Sequence, residues 1–382
     1  MRRTVFDDDH EAFRATVRDF LAREVVPIFP AWEKAGAAPR DFYRRLGKLG
    51  VLGLQVPEEY GGGGQRGFRF NVVVNEELAR AKLGLGPVRV HTDIVLPYLL
   101  RYASEEQKRR WLPGVANGEL MTAIAMTEPG TGSDLAGIAT TAVLDGDHYV
   151  LNGAKTFITG AVNADLVLVV ARTSPPTGDR RAGLSILVVE AGSPGFSVGR
   201  NLDKLGLKAQ DTAELAFEDV AVPAANLLGE EGRAFEFLRH NLAQERLSIA
   251  VNAQAAAATA LEVTLAYVNE RNVFGRPLSG FQNTKFVLAE CATDVEAGQA
   301  LVDRALEEHD AGELSAADAA KVKLFCTELQ SRVVDKCLQL HGGYGYVLEY
   351  PIARMYADAR VTRIYGGTSE VMKSIIAKSI GL

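Results

Sequence analysis

The chain has 382 residues, more than one ordinary hydrophobic core accommodates, so two or three packed domains are expected. Apolar residues make up 47% and charged residues 24%, an ordinary globular composition, and a net charge of −6 without a dense Lys/Arg cluster argues against nucleic acid as a partner. Cys291, Cys326 and Cys337 form no CxxC pair and are odd in number, which argues against a disulfide framework; no metal site is expected. The stretch from Met1 to His10 runs into acidic residues without an apolar signal core. No run approaches the ~18 apolar residues of a membrane span, so the expectation is a reducing, cytoplasmic location.

The hydrophobic period divides the chain in three. From about residue 6 to 120 it is helical. Phe13, Val17, Phe20, Leu21 and Val25 recur at three- and four-residue spacing, and Pro27 ends the run. The loop Gly61 to Gly64 is either a flexible linker or a place of close backbone approach to a ligand. His91 and Asp93 read either as surface residues or as neighbours of an acyl pocket. From about 121 to 230 the period falls to two. Thr140–Leu144, the turn Asp145-Gly146 and His148–Leu151 form a hairpin, and Leu166–Ala171 and Leu184–Glu190 are further strands. From 231 onward helices are expected over 233–269, 281–310, 315–340 and 368–380, which suggests a four-helix bundle. Ala253 to Ala260 marks close helix packing. The predicted class is α+β: an N-terminal α-helical domain (1–120), a middle β domain (121–230) and a C-terminal four-helix bundle (231–382), with no alternating βαβ pattern.

Several loops carry chemistry. Ile124, Ala125, Met126 and Thr127 lead into a Gly-rich turn ending in Gly132, Ser133 and Asp134, which offers backbone N–H groups to an anion or a flavin edge. Phe157, Ile158 and Thr159 follow on a strand-like segment. Arg271, Phe274 and Gln282 join two helices; Gln339, Leu340, His341, Gly342 and Gly343 end another; Tyr365, Gly366, Gly367, Thr368, Ser369 and Glu370 open the last. Paired glycines beside helix ends admit close approach of a large ligand.

In order and spacing these segments resemble the acyl-CoA dehydrogenase family over nearly the whole chain, and its long-chain branch most closely. The resemblance implies FAD bound between the β domain and the bundle, and homotetramers in which a neighbouring subunit completes each flavin site. Ile124 to Ser133 and Phe157 to Thr159 would line the flavin ring and pyrophosphate. Arg271, Phe274, Gln282 and Gln339 to Gly343 would hold the adenosine diphosphate part from the partner subunit. Thr368 to Glu370 would lie beside the flavin. Ser133, Leu242, Arg246, Tyr365, Gly366 and Gly367 would meet the acyl thioester.

Many relatives carry the catalytic base in a Tyr-Glu-Gly-Thr motif, whose glutamate position is Gly366 here. Glu245 is the alternative. It lies in the middle of the stripe Phe235, Leu238, Leu242, Ile249, Ala253, with no cation at i±3 or i±4. Two readings are open from this pattern: a base of raised pKa, or a structural carboxylate paired with Arg246 or another cation. Gln244 to Leu247 matches the long-chain and isovaleryl branches, whose base stands on this helix, and the long-chain branch also has glycine at the position of Gly366. The resemblance therefore implies Glu245 as base, the thioester oxygen held by the Gly366 N–H and a ribityl hydroxyl, a trans-2-enoyl product, and electrons leaving to an electron-transferring flavoprotein. The small Gly366 suggests room at the reaction centre. Glu236 stands where relatives often have tyrosine near the thioester arm, which keeps a carrier-protein-bound substrate in play. Arg180 and Arg181 are either contacts for CoA phosphates or part of a solvated loop. A flavin oxidase or monooxygenase on the same fold, and a silent acyl-binding subunit, are the remaining alternatives.

Overall fold

The computed structural model describes residues 2–176 and 178–382; Met1, the first residue of the expected N-terminal domain, and Thr177 lie outside them. Seven helices come first: α1 (Asp8–Phe20), α2 (Phe29–Ala35), α3 (Arg40–Lys48), α4 (Arg69–Arg80), α5 (Gly86–Arg89), α6 (Leu96–Tyr102) and α7 (Glu105–Asn117). The Phe13–Val25 stripe runs through α1 and a π-helical turn, Leu21–Val25, and the helix stops before Pro27. A second π-helical turn, Val90–Val95, sits between α5 and α6.

Eight strands follow: β1 (Thr122–Ala125), β2 (Thr141–Asp145), β3 (His148–Thr159), β4 (Leu166–Arg172), β5 (Leu184–Glu190), β6 (Phe196–Asn201), β7 (Thr212–Pro223) and β8 (Leu227–Leu228). Their order is β6-β7-β3-β2-β4-β5-β8, with β1 parallel to β4. The expected β2–β3 hairpin pairs Asp145 with His148, and Gly146 takes the positive φ its turn requires. β3 runs eight residues past the expected end, and β6 and β7 were not anticipated. Nearly all of β6 is exposed, so it carries no apolar alternation. β7 does alternate, burying Ala213, Leu215 and Phe217 and then Val220 and Val222; the phase slips at Asp219, which has φ +50°.

The C-terminal part consists of α8 (Ala234–Glu270), a small ribbon of β9 (Asn272–Val273) and β10 (Arg276–Pro277), α9 (Gln282–Asp310), α10 (Ala316–His341), α11 (Pro351–Ala359) and α12 (Ser369–Ser379). Each expected long helix is present; α11, introduced by Pro351 at its first position, is additional. Ala253, Ala257 and Ala260 of α8 are buried, as close packing requires. By length and hydropathy α8 passes for a membrane span, but it packs against α4, α9 and α10 within the fold. The Gly61–Gly64 loop folds onto its own chain, its N–H groups bonding the carbonyls of Pro57, Gly53 and Val56; it is neither a linker nor a ligand cradle.

His91 and Asp93 are not surface residues. Both are buried in the π-helical turn. His91 bridges the Val115 carbonyl (3.0 Å) and the β1 residue Thr122, whose N–H lies 3.2 Å away. The Asp93 carboxylate accepts hydrogen bonds from Asn71 (2.9 Å), Asn75 (2.8 Å), Thr92 (2.7 Å) and Ser248, and its carbonyl accepts one from Gln244 (2.8 Å). Burial without an ion pair is tolerated because every direction is met by a donor. This knot joins α4 to α8 on both sides of Glu245. Asp93→Ala would strand Asn71, Asn75 and Ser248, while Thr92 keeps the Val88 carbonyl, so a loss of ~3 kcal/mol or more is expected at ~1–3 kcal/mol for each. Urea unfolding measures it; a change within ~0.5 kcal/mol, typical of a surface substitution, would show that the knot is not structural.

Candidate active site

Glu245 projects from α8 and is 3% exposed. The Tyr98 hydroxyl on α6 donates to its Oε1 at 3.0 Å. Among the described residues no cation approaches within ion-pair distance, so the paired-carboxylate reading fails; the adjoining Arg246 exerts only a longer-range pull. Burial raises the Glu245 pKa to about 7, against the opposing effects of the Tyr98 hydrogen bond and the Arg246 charge. Arg246 is itself buried, with Nε unpartnered, and burial lowers its pKa.

Two cavities meet at this carboxylate. The larger, about 800 Å³, is lined by Thr127, Gly132, Ser133, Leu242, Arg246 and Gly367, among others. Its wall also includes Arg180, which pairs with Asp134 (3.0 Å), and Arg181, which lies over the Phe235 ring (5.2 Å). The smaller, about 150 Å³, is lined by Ile124, Phe157, Ile158, Thr159, Gln210, Ile249 and Tyr365. Met126, Thr127, Glu245 and Gly366 belong to both. Ala125 points instead into the core of the β domain.

The strands place this wall by a specific irregularity. A register shift between Lys155 and Ile158 puts a bulge at Phe157, whose φ is +60° and whose side chain is 66% exposed. A bulge re-aims a side chain in this way. The Thr156 N–H donates to the Thr127 carbonyl (2.9 Å), which brings the two flavin-motif segments together. Beneath them Lys155 pairs with Glu128 (2.8 Å) and bonds the Met126 carbonyl (3.0 Å). Burial pulls the Lys155 pKa down to about 8. Burial pushes Glu128 the other way, but hydrogen bonds from Lys155, Thr140 and the Ala139 N–H outweigh it and hold its pKa low.

Gly366 has φ +62°, and a Cβ there would lie 2.3 Å from Ile249 Cδ1. Gly366 lines both cavities, and a side chain at that position would have to displace the end of the Ile249 side chain. Glu236 is exposed and paired with Arg233 (2.9 Å); it does not enter the cavity. The pattern of the sequence missed two buried cations. Arg89 lines the smaller cavity and donates to the Tyr365 hydroxyl at 3.3 Å. Lys323 of α10 bonds backbone carbonyls of the Gly366 turn.

A third cavity, about 760 Å³, contains Arg271, Gln339, Leu340, His341, Gly342 and Gly343 and shares no lining residue with the other two. His341 stacks on Tyr267 at 4.1 Å. Gln282 and Phe274 do not line it: Gln282 is exposed at the start of α9, and Phe274 is 95% exposed. Thr368 to Glu370 line none of these cavities. The Thr368 hydroxyl caps α12 by accepting from the Val371 N–H, and Ser369 donates to Glu328 (2.7 Å).

These features suit a flavin dinucleotide. Phe157 and Thr159 offer a face and a hydroxyl, and the buried Gln210 Oε1 lacks a partner among the described residues. Nothing lies within 4 Å of where a Cβ would stand at Gly132, Gly342 or Gly343, so backbone is open to close approach. The arrangement defines a flavin-dependent oxidoreductase with a buried carboxylate at the junction. Comparison with known proteins supports the flavin-dependent class. The N-terminal, middle and C-terminal domain models of acyl-CoA dehydrogenase match residues 7–119, 123–220 and 232–381. The long-chain specific mitochondrial acyl-CoA dehydrogenase of Sus scrofa is 45% identical, over 99% of this chain and 88% of its own. An acyl-CoA dehydrogenase structure from Geobacillus kaustophilus superposes with a TM-score of 0.98 at 49% identity over all of both chains. A glutaryl-CoA dehydrogenase from Mycobacterium smegmatis in complex with FADH2 superposes at 0.91, with 31% identity over 99% of this chain and 95% of that one. The chain belongs to the acyl-CoA dehydrogenase family, whose enzymes depend on FAD, and its activity is the dehydrogenation of acyl-CoA.

The raised pKa carries a cost for folding. A carboxylate near 7 in the folded state and near ~4.3 unfolded is destabilising once ionised. The penalty is absent below the unfolded pKa, grows as pH rises and is complete above about 7. Glu245→Gln should therefore stabilise the enzyme at alkaline pH, by on the order of 3 kcal/mol, and the gain should vanish toward acid. Denaturant unfolding at several pH values tests this; a pH-independent difference would mean that Glu245 is not perturbed.

Proposed function

We propose that Glu245 is the base that takes the α-proton of a long-chain or branched acyl-CoA, giving the trans-2-enoyl thioester. The observation that carries this is the Glu245 carboxylate, buried and held by one phenol, at the junction of two cavities. A base with a pKa near the working pH combines ionisation with proton affinity, and burial places Glu245 there. Gly366, on the wall of both cavities, presents its backbone N–H to the thioester oxygen, where negative charge develops as the proton leaves. FAD, when bound, supplies the acceptor for the β-hydride. Arg180 and Arg181 on the wall of the larger cavity are cations suited to CoA phosphates, and the outward turn of Glu236 removes the acid that would oppose them. This supports CoA rather than a carrier protein as the tether. The long-chain preference rests on the likeness to the long-chain specific enzyme of Sus scrofa.

In the same reading FAD spans two subunits of a homotetramer. The flavin-ring residues and the Arg271–Gly343 residues line separate cavities of one chain, so a second chain brings them together. Electrons then leave to an electron-transferring flavoprotein.

Glu245→Gln should still bind FAD and substrate while anaerobic flavin reduction slows by ~10²–10⁴-fold; stopped-flow bleaching at the wild-type rate would make Glu245 structural. Arg271→Ala should lower FAD retention, by ~1.5–3 kcal/mol if a charge-assisted phosphate contact is lost. Equal flavin occupancy after dialysis, or a flavin-loaded monomer in sedimentation, would contradict the two-chain site.

A further inference from the structure

Lys323 is 1% exposed. Its ammonium donates to the Tyr365 carbonyl at 2.6 Å and to the Gly367 carbonyl. Among the described residues no carboxylate pairs with it. A buried cation held by carbonyls alone is a costly way to tie a turn, because a neutral amide donates without the charge penalty. The geometry explains what the charge accomplishes. In a planar trans peptide the C=O and the N–H point in opposite directions. The Tyr365 carbonyl and the Gly366 N–H belong to one peptide. Anchoring that carbonyl on α10 therefore turns the Gly366 N–H away from α10. Gly366 lies on the wall of the larger and of the smaller cavity, beside Glu245. The second bond, to Gly367, fixes the far side of the turn, where φ is +62° at Gly366 and +94° at Gly367.

We propose that Lys323 is a positioning residue for the dehydrogenation: it grips the carbonyls on either side of Gly366, aims the Gly366 N–H at the thioester oxygen and polarises that peptide. This rests on the assignment of Gly366 as the oxyanion donor. During the reaction negative charge passes from the Glu245 carboxylate to the thioester oxygen as the α-proton moves the other way. The charge nearest Glu245 along its helix is Arg246. Charge reaching the Gly366 N–H is instead one peptide away from the ammonium, and a hydrogen-bonded chain of cation, peptide and oxyanion strengthens each link. The interaction is therefore stronger in the transition state than in the ground state, the condition for raising a rate. Burial and the nearby Arg246 lower the Lys323 pKa to about 7, and an oxyanion forming across the peptide opposes that loss of charge.

The test uses FAD-loaded enzyme and two readings. One is the limiting rate of anaerobic flavin reduction by a saturating acyl-CoA, with its half-saturating concentration. The other is the long-wavelength absorbance of the oxidised enzyme with a 3-thia-acyl-CoA. Sulfur in place of the β-carbon blocks hydride loss, so the thioester loses only its α-proton, and the enolate against the flavin gives a charge-transfer band. Lys323→Met, similar in length, should lower the limiting rate by ~10²-fold, the effect of losing one oxyanion donor. It should weaken the band in parallel and leave half-saturation nearly unchanged. Lys323→Arg should restore part of both. If Lys323→Met does not retain FAD, Lys323→Gln, a neutral donor of similar reach, gives the same two readings. An unchanged band in these variants overturns the proposal, whether or not the rate falls. Failure of wild-type enzyme to form the band would overturn the Glu245–Gly366 reading instead.

Discussion

Removing a carboxylate from water is expensive unless its protonation shifts or a partner replaces the lost hydration. Among the described residues Glu245 receives one phenol and no cation, and its pKa is displaced to about 7. The surrounding structure holds that unstable arrangement in place. Tyr98 comes from α6, and the Asp93 knot fastens Gln244 and Ser248 on either side of it. Glu245 stands on the C-terminal bundle, but its orientation is set by the N-terminal helices. The buried Asp93 has several donors and Glu245 has one; the first is well satisfied and the second is left poised to titrate.

The same division recurs around Gly366. In place of a side chain, the turn has two positive φ values and Ile249 packed where a Cβ would be. Glu245 and Gly366 thus come from different elements, α8 and the turn before α12, and each is anchored from behind. The β domain contributes the opposite wall, with a bulge turning Phe157 outward and the Lys155–Glu128 pair fixing the Met126–Thr127 segment beneath it.

Much of this could be read from local pattern. The long helices of the bundle are bounded by Gly- and Pro-containing loops, and their limits emerge within a residue or so of the expected ones. Glu245 was conspicuous as a charge inside an apolar stripe. Other features depend on distant pairing and have no local signature. β6 is almost wholly exposed and is defined only by its hydrogen bonds to β7. His91 and Asp93 look like surface residues because the donors that satisfy them come from α4, β1 and α8. Lys323 sits in a helix rich in ordinary polar residues, and its target is 42 positions away. One signal was available for the knot: Gln244 and Ser248 flank Glu245 within one turn, on a segment otherwise rich in apolar residues.

The central claim is that the ionisation of Glu245 governs proton abstraction. The most direct measurement is the second-order rate constant for anaerobic flavin reduction at low acyl-CoA concentration, followed against pH, because it reports the base in the free enzyme. The rate should rise about tenfold per pH unit on the acid side of about 7, with a slower reaction for substrate deuterated at the α-carbon. A profile flat from about pH 6 to about pH 8, with a normal α-deuterium effect, would show that proton abstraction depends on a group other than a buried carboxylate titrating near neutrality.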